Sequence, residues 1–190
     1  ATVSRAGILY ISDDDGTQWK SLIASWLNTS TKGNGAFLSP AAAAILQSLF
    51  DKYTGTVLKW IKINAKTLVD VRDMNIVETL CIMLKALLTG TMKQFSQSSS
   101  ESELEPAFVF SAIWAFGCTL SEKDGTDYRK LFSDYWKANW KGIKIPSRET
   151  VFDYWLNPLT NTFDQWKNSP YFTSINFDPV ETPMSQVTVP

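Results

Sequence analysis

The run FVFSAIWAFGCTLSEKDGTDYRKLF, Phe108 to Phe132, decides the fold. Its first half is apolar on every side, the pattern of a helix buried all round rather than one lying on a surface. From Tyr128 the pattern changes: Tyr128, Leu131, Phe132, Tyr135 and Trp136 recur at helical spacing along a single face. Between the two halves, Ser121 to Gly125 is a polar corner. A central apolar helix turned onto an amphipathic one implies a helical bundle. Pro106 is expected at the first position of the apolar helix. Gly117 should weaken its end, and Ser121 with Asp124 should start the helix that follows.

Upstream, the same periodicity builds the rest of the bundle. Trp19, Leu22, Ile23, Trp26 and Leu27 mark one helix face, followed by a polar loop from Asn28 to Gly35. Ser39 is a good N-cap with Pro40 at the first helical position. The helix it opens carries Ile45, Leu49 and Tyr53; Thr54-Gly55-Thr56 should weaken or break it, since Gly costs ~1 kcal/mol. A second piece from Val57 carries Trp60 and Ile61. Asn75 is placed to cap the next helix with Glu78 at the capping-box position. Ile76, Leu80, Met83, Leu84, Leu87 and Leu88 form its buried side, and Gly90 is a plausible stop. The Ser- and Glu-rich segment Phe95 to Glu105 reads as low in complexity and mobile.

Downstream, the period shortens to two. Val151, Asp153 and Trp155 alternate with Phe152, Tyr154 and Leu156; Asn157 to Asn161 is a turn, and Phe163 to Trp166 returns antiparallel. From Pro170 the chain is Pro-rich and extended, with Gln186 to Val189 a candidate strand. At the other end, Ile8 to Ile11 is a continuous apolar run suited to a buried parallel strand. A lone parallel strand has no sheet to join, so the sequence reads as a piece of a longer polypeptide.

Composition removes several function classes. The 190 residues carry 18 basic and 19 acidic side chains, so no bulk field favours nucleic acid or an anionic membrane. Ala107 to Leu120 falls short of the roughly 20 apolar residues that span a bilayer. There is no histidine, which excludes Ser-His-Asp and Cys-His catalysis. Cys81 and Cys118 without histidine fall short of a zinc site and read as small buried thiols, with a disulfide between them as the alternative. No metal site is assigned. Asp13 to Asp15 has the character of a solvated turn rather than a cation site.

A phosphate-binding loop needs Gly, four residues, then Gly-Lys-Ser/Thr. None is present; Thr89-Gly90-Thr91-Met92-Lys93 has the composition without the order. Trp19, Trp26, Trp60, Trp114, Trp136 and Trp155 lie on apolar faces with no basic groove beside them, so core and inter-module packing outweighs base stacking. Trp140, among Lys137, Lys141 and Lys144, is the one basic-aromatic cluster. It reads as an exposed helix end whose cations suit the C-terminal dipole.

ATVSRAGILYIS, WAFGCTLSEKDGTDYRK and TVFDYW together resemble the motor region of dynein heavy chains, the last two more like the axonemal branch. The first looks like the late strand of the second AAA+ module, the helices like that module's small lid subdomain, and QVTVP like the approach to the third module. Departures are Gly16-Thr17-Gln18-Trp19 where Leu-Gly-Trp is frequent, Cys118 where a second Gly is common and Trp155 where Tyr is common.

The resemblance implies a mainly α fold. Residues 1–12 would be the last strand of a large subdomain, 13–142 the helical lid, and 143–190 a β-hairpin leading to the next module. It implies an ATP-driven microtubule motor of the axoneme of a cilium or flagellum, hence of the cytoplasm and cytoskeleton. The parent would use ATP and Mg²⁺, with neither held by this segment alone. Its partners would be the neighbouring AAA+ modules, the microtubule through another region, and intermediate and light chains; no nucleic acid and no membrane. Arg5 matches the position of an arginine finger reaching a neighbouring module's nucleotide; by residue type alone it is an ordinary surface or salt-bridge arginine. Asn75, with Arg72 one turn earlier, stands where such lids present a sensor residue to nucleotide; by residue type alone it reads first as a plain helix cap. The reading from another class is a non-enzymatic helical interaction module with a hairpin appendage.

Overall fold

The computed structural model describes residues 16–146 and 148–173. The strand expected at Ile8 to Ile11, Arg5, the Asp13 to Asp15 turn and the strand expected at Gln186 to Val189 lie outside the described residues. Among those described, five α-helices and two short antiparallel hairpins form a mainly helical structure, as the patterning implies.

Helix α1, Thr17–Thr31, buries Ile23 and Leu27. It runs into the expected polar loop because Thr29 and Thr31 donate their hydroxyls back to the Ser25 and Leu27 carbonyls. Helix α2, Pro40–Asn64, begins as expected: the Ser39 hydroxyl accepts the Ala42 N–H at 3.0 Å. It does not break at Gly55. Tyr53, Thr54, Val57 and Leu58 are all buried there. Loss of that packing would far exceed the ~1 kcal/mol of glycine's poor propensity.

Helix α3, Asp73–Thr89, ends at Gly90 as expected but starts earlier than the capping-box reading places it. Arg72 is the N-cap, and Asn75 sits inside the first turn with its N–H donated to the Arg72 carbonyl at 3.0 Å. Asp73, the acidic residue of that turn, pairs with Lys62 at 2.6 Å, which favours the earlier start.

The Ser/Glu segment is ordered, contrary to its composition. Lys93–Gln97 is a 3₁₀ turn, and helix α4, Glu101–Gly117, opens five residues before Pro106. The Ser39 N–H donates to the Ser96 carbonyl at 3.1 Å, and the Gln97 amide to that of Phe37 at 3.0 Å. These bonds tie the segment to the start of α2. Pro106 is buried in the second turn of α4, where it forfeits one hydrogen bond.

The corner is a hairpin of β1, Glu122–Lys123, and β2, Thr126–Asp127. Asp124 and Gly125 both have positive φ, 54° and 75°, the requirement of a two-residue turn that follows the strand twist. Helix α5, Tyr128–Asn139, is therefore capped by Asp127, whose carboxylate accepts the Lys130 N–H, and not started by Ser121 and Asp124.

The second hairpin pairs β3, Tyr154–Asn157, with β4, Thr162–Gln165, in the register Tyr154 with Gln165 and Leu156 with Phe163. Its first three expected positions, Val151–Asp153, are a 3₁₀ turn with a Thr150–Asp153 capping box. Tyr154, Trp155 and Leu156 are all buried, so both faces of β3 are covered.

Helix α4 is the axle of the core, with α2 and α3 packed along it and β3 against it. Phe108 meets Phe50 and Tyr53 at 5.0 and 5.5 Å between ring centroids. Trp136 and Trp155 are buried, while Trp19, Trp26, Trp60 and Trp114 are partly buried against the core. Cys81 is buried as expected. Cys118, just past the end of α4, is exposed instead.

Candidate functional site

Two of the residues singled out from sequence, Arg72 and Asn75, come together at the start of α3. Both are exposed, and they stand three residues apart on one helical turn. The position is fixed from three sides. Lys62, near the end of α2, holds Asp73. Thr67 pairs with Leu120 in an isolated antiparallel bridge, and the Leu68 N–H donates to the Thr119 carbonyl at 2.9 Å. Lys66 reaches Asp124 on the β1–β2 turn at 2.9 Å. This pair raises the Lys66 pKa and lowers that of Asp124, first through the hydrogen bond and then through charge.

Asp73 is the carboxylate that would repel an anion at this helix end, and Lys62 neutralises it. The Arg72 guanidinium, the Asn75 amide and the positive end of α3 then define the site, with exposed Asp70 two residues before Arg72 as the remaining nearby carboxylate. Beside them, Ile63, Leu68 and Val69 are each more than 60 % exposed. Three large aliphatic side chains in water next to a cationic helix end mark a surface suited to another body.

The opposite attachment is the second hairpin. Phe152 stacks at 5.9 Å on Phe132 of α5 and meets Trp114 of α4 edge-on at 5.6 Å. The Arg129 guanidinium lies 4.4 Å from the centre of the Phe152 ring. The Ser133 hydroxyl accepts the Val151 N–H, and the Trp166 indole donates to the Phe152 carbonyl, each at 3.0 Å. At the hairpin tip, Asn161 donates to the Glu103 carbonyl and Gln94 to that of Pro158. The hairpin and the helices are thus one packed unit.

The dynein heavy chain AAA lid domain family matches residues 46–168, from within α2 through the second hairpin. This chain belongs to that family. Across all of its length it is 37% identical to the dynein alpha chain of the flagellar outer arm of Chlamydomonas reinhardtii and to the ciliary dynein beta chain of Heliocidaris crassispina. It is 36% identical to dynein axonemal heavy chain 11 of Sus scrofa. It spans about 4% of the length of each of these relatives.

For a dynein lid, the donor set at the start of α3 fits a phosphate and does not fit a magnesium ion. Arg72 and Asn75 are exposed hydrogen-bond donors, whereas no group of three His, Cys, Asp or Glu is found among the described residues. Asn75 is not the helix cap; its exposure on the first turn leaves its side chain available for the other role read from sequence. Lys62, Thr67, Leu68 and Val69 were missed by sequence reading. A Leu-Val pair among polar residues past a helix end was the visible hint.

Proposed function

We propose that this chain is the lid and connecting hairpin of an axonemal dynein motor, running from the end of the second AAA+ module into the third. Its work is to pass the nucleotide state of one module to the next. ATP, when bound, supplies the free energy of phosphoryl transfer. Arg72 and Asn75 would hold its phosphates from the lid side, with Mg²⁺ held elsewhere in the motor. Asn75 is uncharged, so it helps retain nucleotide without drawing charge from a breaking bond. Residues 1–12 belong to the large subdomain, 13–142 to the lid and 143–190 to the lead into the next module. The neighbouring modules are the immediate partners; microtubule contact and the intermediate and light chains belong to other regions.

The observation that carries this reading is the docking of Phe152 between α4 and α5. A hairpin fixed to the lid by stacked rings, a cation over the ring and hydrogen bonds on both sides moves with it as a rigid body. Displacement of the lid therefore becomes displacement of the chain that leaves the hairpin.

Arg5 completes the proposal as an arginine finger toward the neighbouring catalytic site. A planar guanidinium matches the charge that gathers on the transferring phosphoryl oxygens, worth roughly 10³–10⁵ in rate. The test is steady-state ATP turnover by a heavy-chain motor carrying Arg5→Ala. A loss of a hundredfold or more is expected; turnover equal to wild type would remove Arg5 from catalysis.

A further inference from the structure

The basic-aromatic cluster around Trp140 is not the exposed helix end that its composition implies. Trp140 is half-buried, with its ring 4.5 Å from that of Tyr53 on α2 and 6.3 Å from that of Trp136. The chain then folds back so that Ile143 and Ile145 also pack on the core. The result is a cavity of about 260 Å³, walled by the two indoles and the two isoleucines, with Lys141 and Lys144 contributing its charge and Lys137, which donates to the Glu149 carbonyl, along one side. Lys141 and Lys144 are exposed at its rim. Among the described residues no carboxylate lines it, although acidic residues slightly outnumber basic ones in the whole chain. The indole N–H groups of Trp136 and Trp140 are buried with no acceptor among the described residues, a state that native interiors rarely leave unused.

We propose that this cavity is a docking site for an acidic polypeptide segment, which seats one apolar side chain against the wall formed by Trp140, Ile143 and Ile145 while flanking carboxylates meet Lys141 and Lys144. Size favours this occupant. Pockets that enclose a whole small molecule run to ~300–1,000 Å³, whereas an anchoring side chain needs less room. Nucleic acid is disfavoured because stacking needs an open aromatic face. Tyr53 lies against Trp140, and Trp136 is only 1% exposed. The site is also preformed. The Tyr53 hydroxyl donates to the Glu105 carboxylate at 2.6 Å, which holds the ring against Trp140, so little ordering is needed on binding. This site is separate from the α3 end and independent of the motor reading.

The test is fluorescence anisotropy of a short labelled peptide alternating glutamate with leucine, titrated with the full chain. Saturable binding is expected. It should weaken on raising salt and fall by roughly tenfold or more in Lys141→Glu/Lys144→Glu, with Lys141→Gln/Lys144→Gln in between. Both pairs are exposed, so the thermal midpoint should hold; if the glutamate pair lowers it, the glutamine pair decides. Equal binding of the peptide with glutamine in place of glutamate would overturn the proposal. So would unchanged affinity in the lysine variants, no saturable binding, or displacement of the peptide by oligothymidylate.

Discussion

The ring of Phe152 lies so close to the backbone of Gly117 that a β-carbon on residue 117 would stand 2.4 Å from two of its ring carbons. Glycine at the end of α4 is therefore a packing requirement of the hairpin junction and not merely a weak helix residue. The same ring touches Phe132, Trp114 and Arg129. Lid and hairpin meet at this point.

Gly117→Ala should destabilise the chain by about 1–3 kcal/mol, because the ring can retreat only into α5. Phe152→Leu should relieve part of that cost, giving a coupling of about 0.5–3 kcal/mol in a double-mutant cycle followed by urea unfolding. Strict additivity of the two changes would mean that the ring does not press on residue 117.

Gly55→Ala should have the opposite sign. Residue 55 is exposed and helical, and among the described residues a β-carbon there would meet only Trp19, at 3.8 Å, an ordinary contact. The gain expected is about 0.4–1 kcal/mol, read as a rise in thermal midpoint. A fall would show that α2 needs flexibility at this turn.

Rising alkaline pH should lower the stability of the chain, with a slope that steepens in two stages. Burial, and then the Glu78 carboxylate, push the Cys81 thiol up from 9.0 to about 12. Burial and the hydrogen bond to Glu105 push the Tyr53 phenol up from 10.0. In both cases the folded state holds its proton more tightly than the unfolded one. Their contribution is complete below the unfolded value and is lost as pH rises, at up to ~1.4 kcal/mol per pH unit for each group. Cys81→Ala should flatten the loss that begins near pH 9.0, and Tyr53→Phe part of the loss above 10.0, which Tyr135 and Tyr154, also raised by burial, share. A denaturant midpoint that does not change from ~8 to ~11 would contradict this.

Much of the fold was legible because its signals are local. Ser39-Pro40, the spacing from Trp19 to Leu27 and the turn after Asn157 each state their element within a few residues. The misreadings occur where distant contacts decide. Gly55 stays helical because Tyr53 and Val57 are buried on other elements, and the Ser/Glu segment is ordered by bonds to Phe37 and Ser39. Asp124-Gly125 carried a hairpin signal in plain view, but the acidic residue competed with it as a helix start. Val151 to Asp153 imitate a strand because a 3₁₀ turn can also bury residues near alternate positions. At the candidate site, Arg72 and Asn75 were singled out through family likeness, whereas Lys62–Asp73 joins two helices across a loop. The Trp140 pocket was half visible. Its lysines lie together in the sequence, but Tyr53, which turns the indole inward, comes from α2.

The central claim is that the hairpin carries lid movement into the next module. The direct test is a short flexible Gly-Ser insertion between Ser169 and Pro170 of a heavy-chain motor, just past the docked hairpin, with ATP turnover and microtubule gliding measured on the same preparation. Such a linker leaves the Phe152 junction intact and slackens only the connection. Turnover kept within about twofold while gliding velocity falls by about tenfold is the outcome predicted by rigid transmission. Gliding at the wild-type velocity would contradict it.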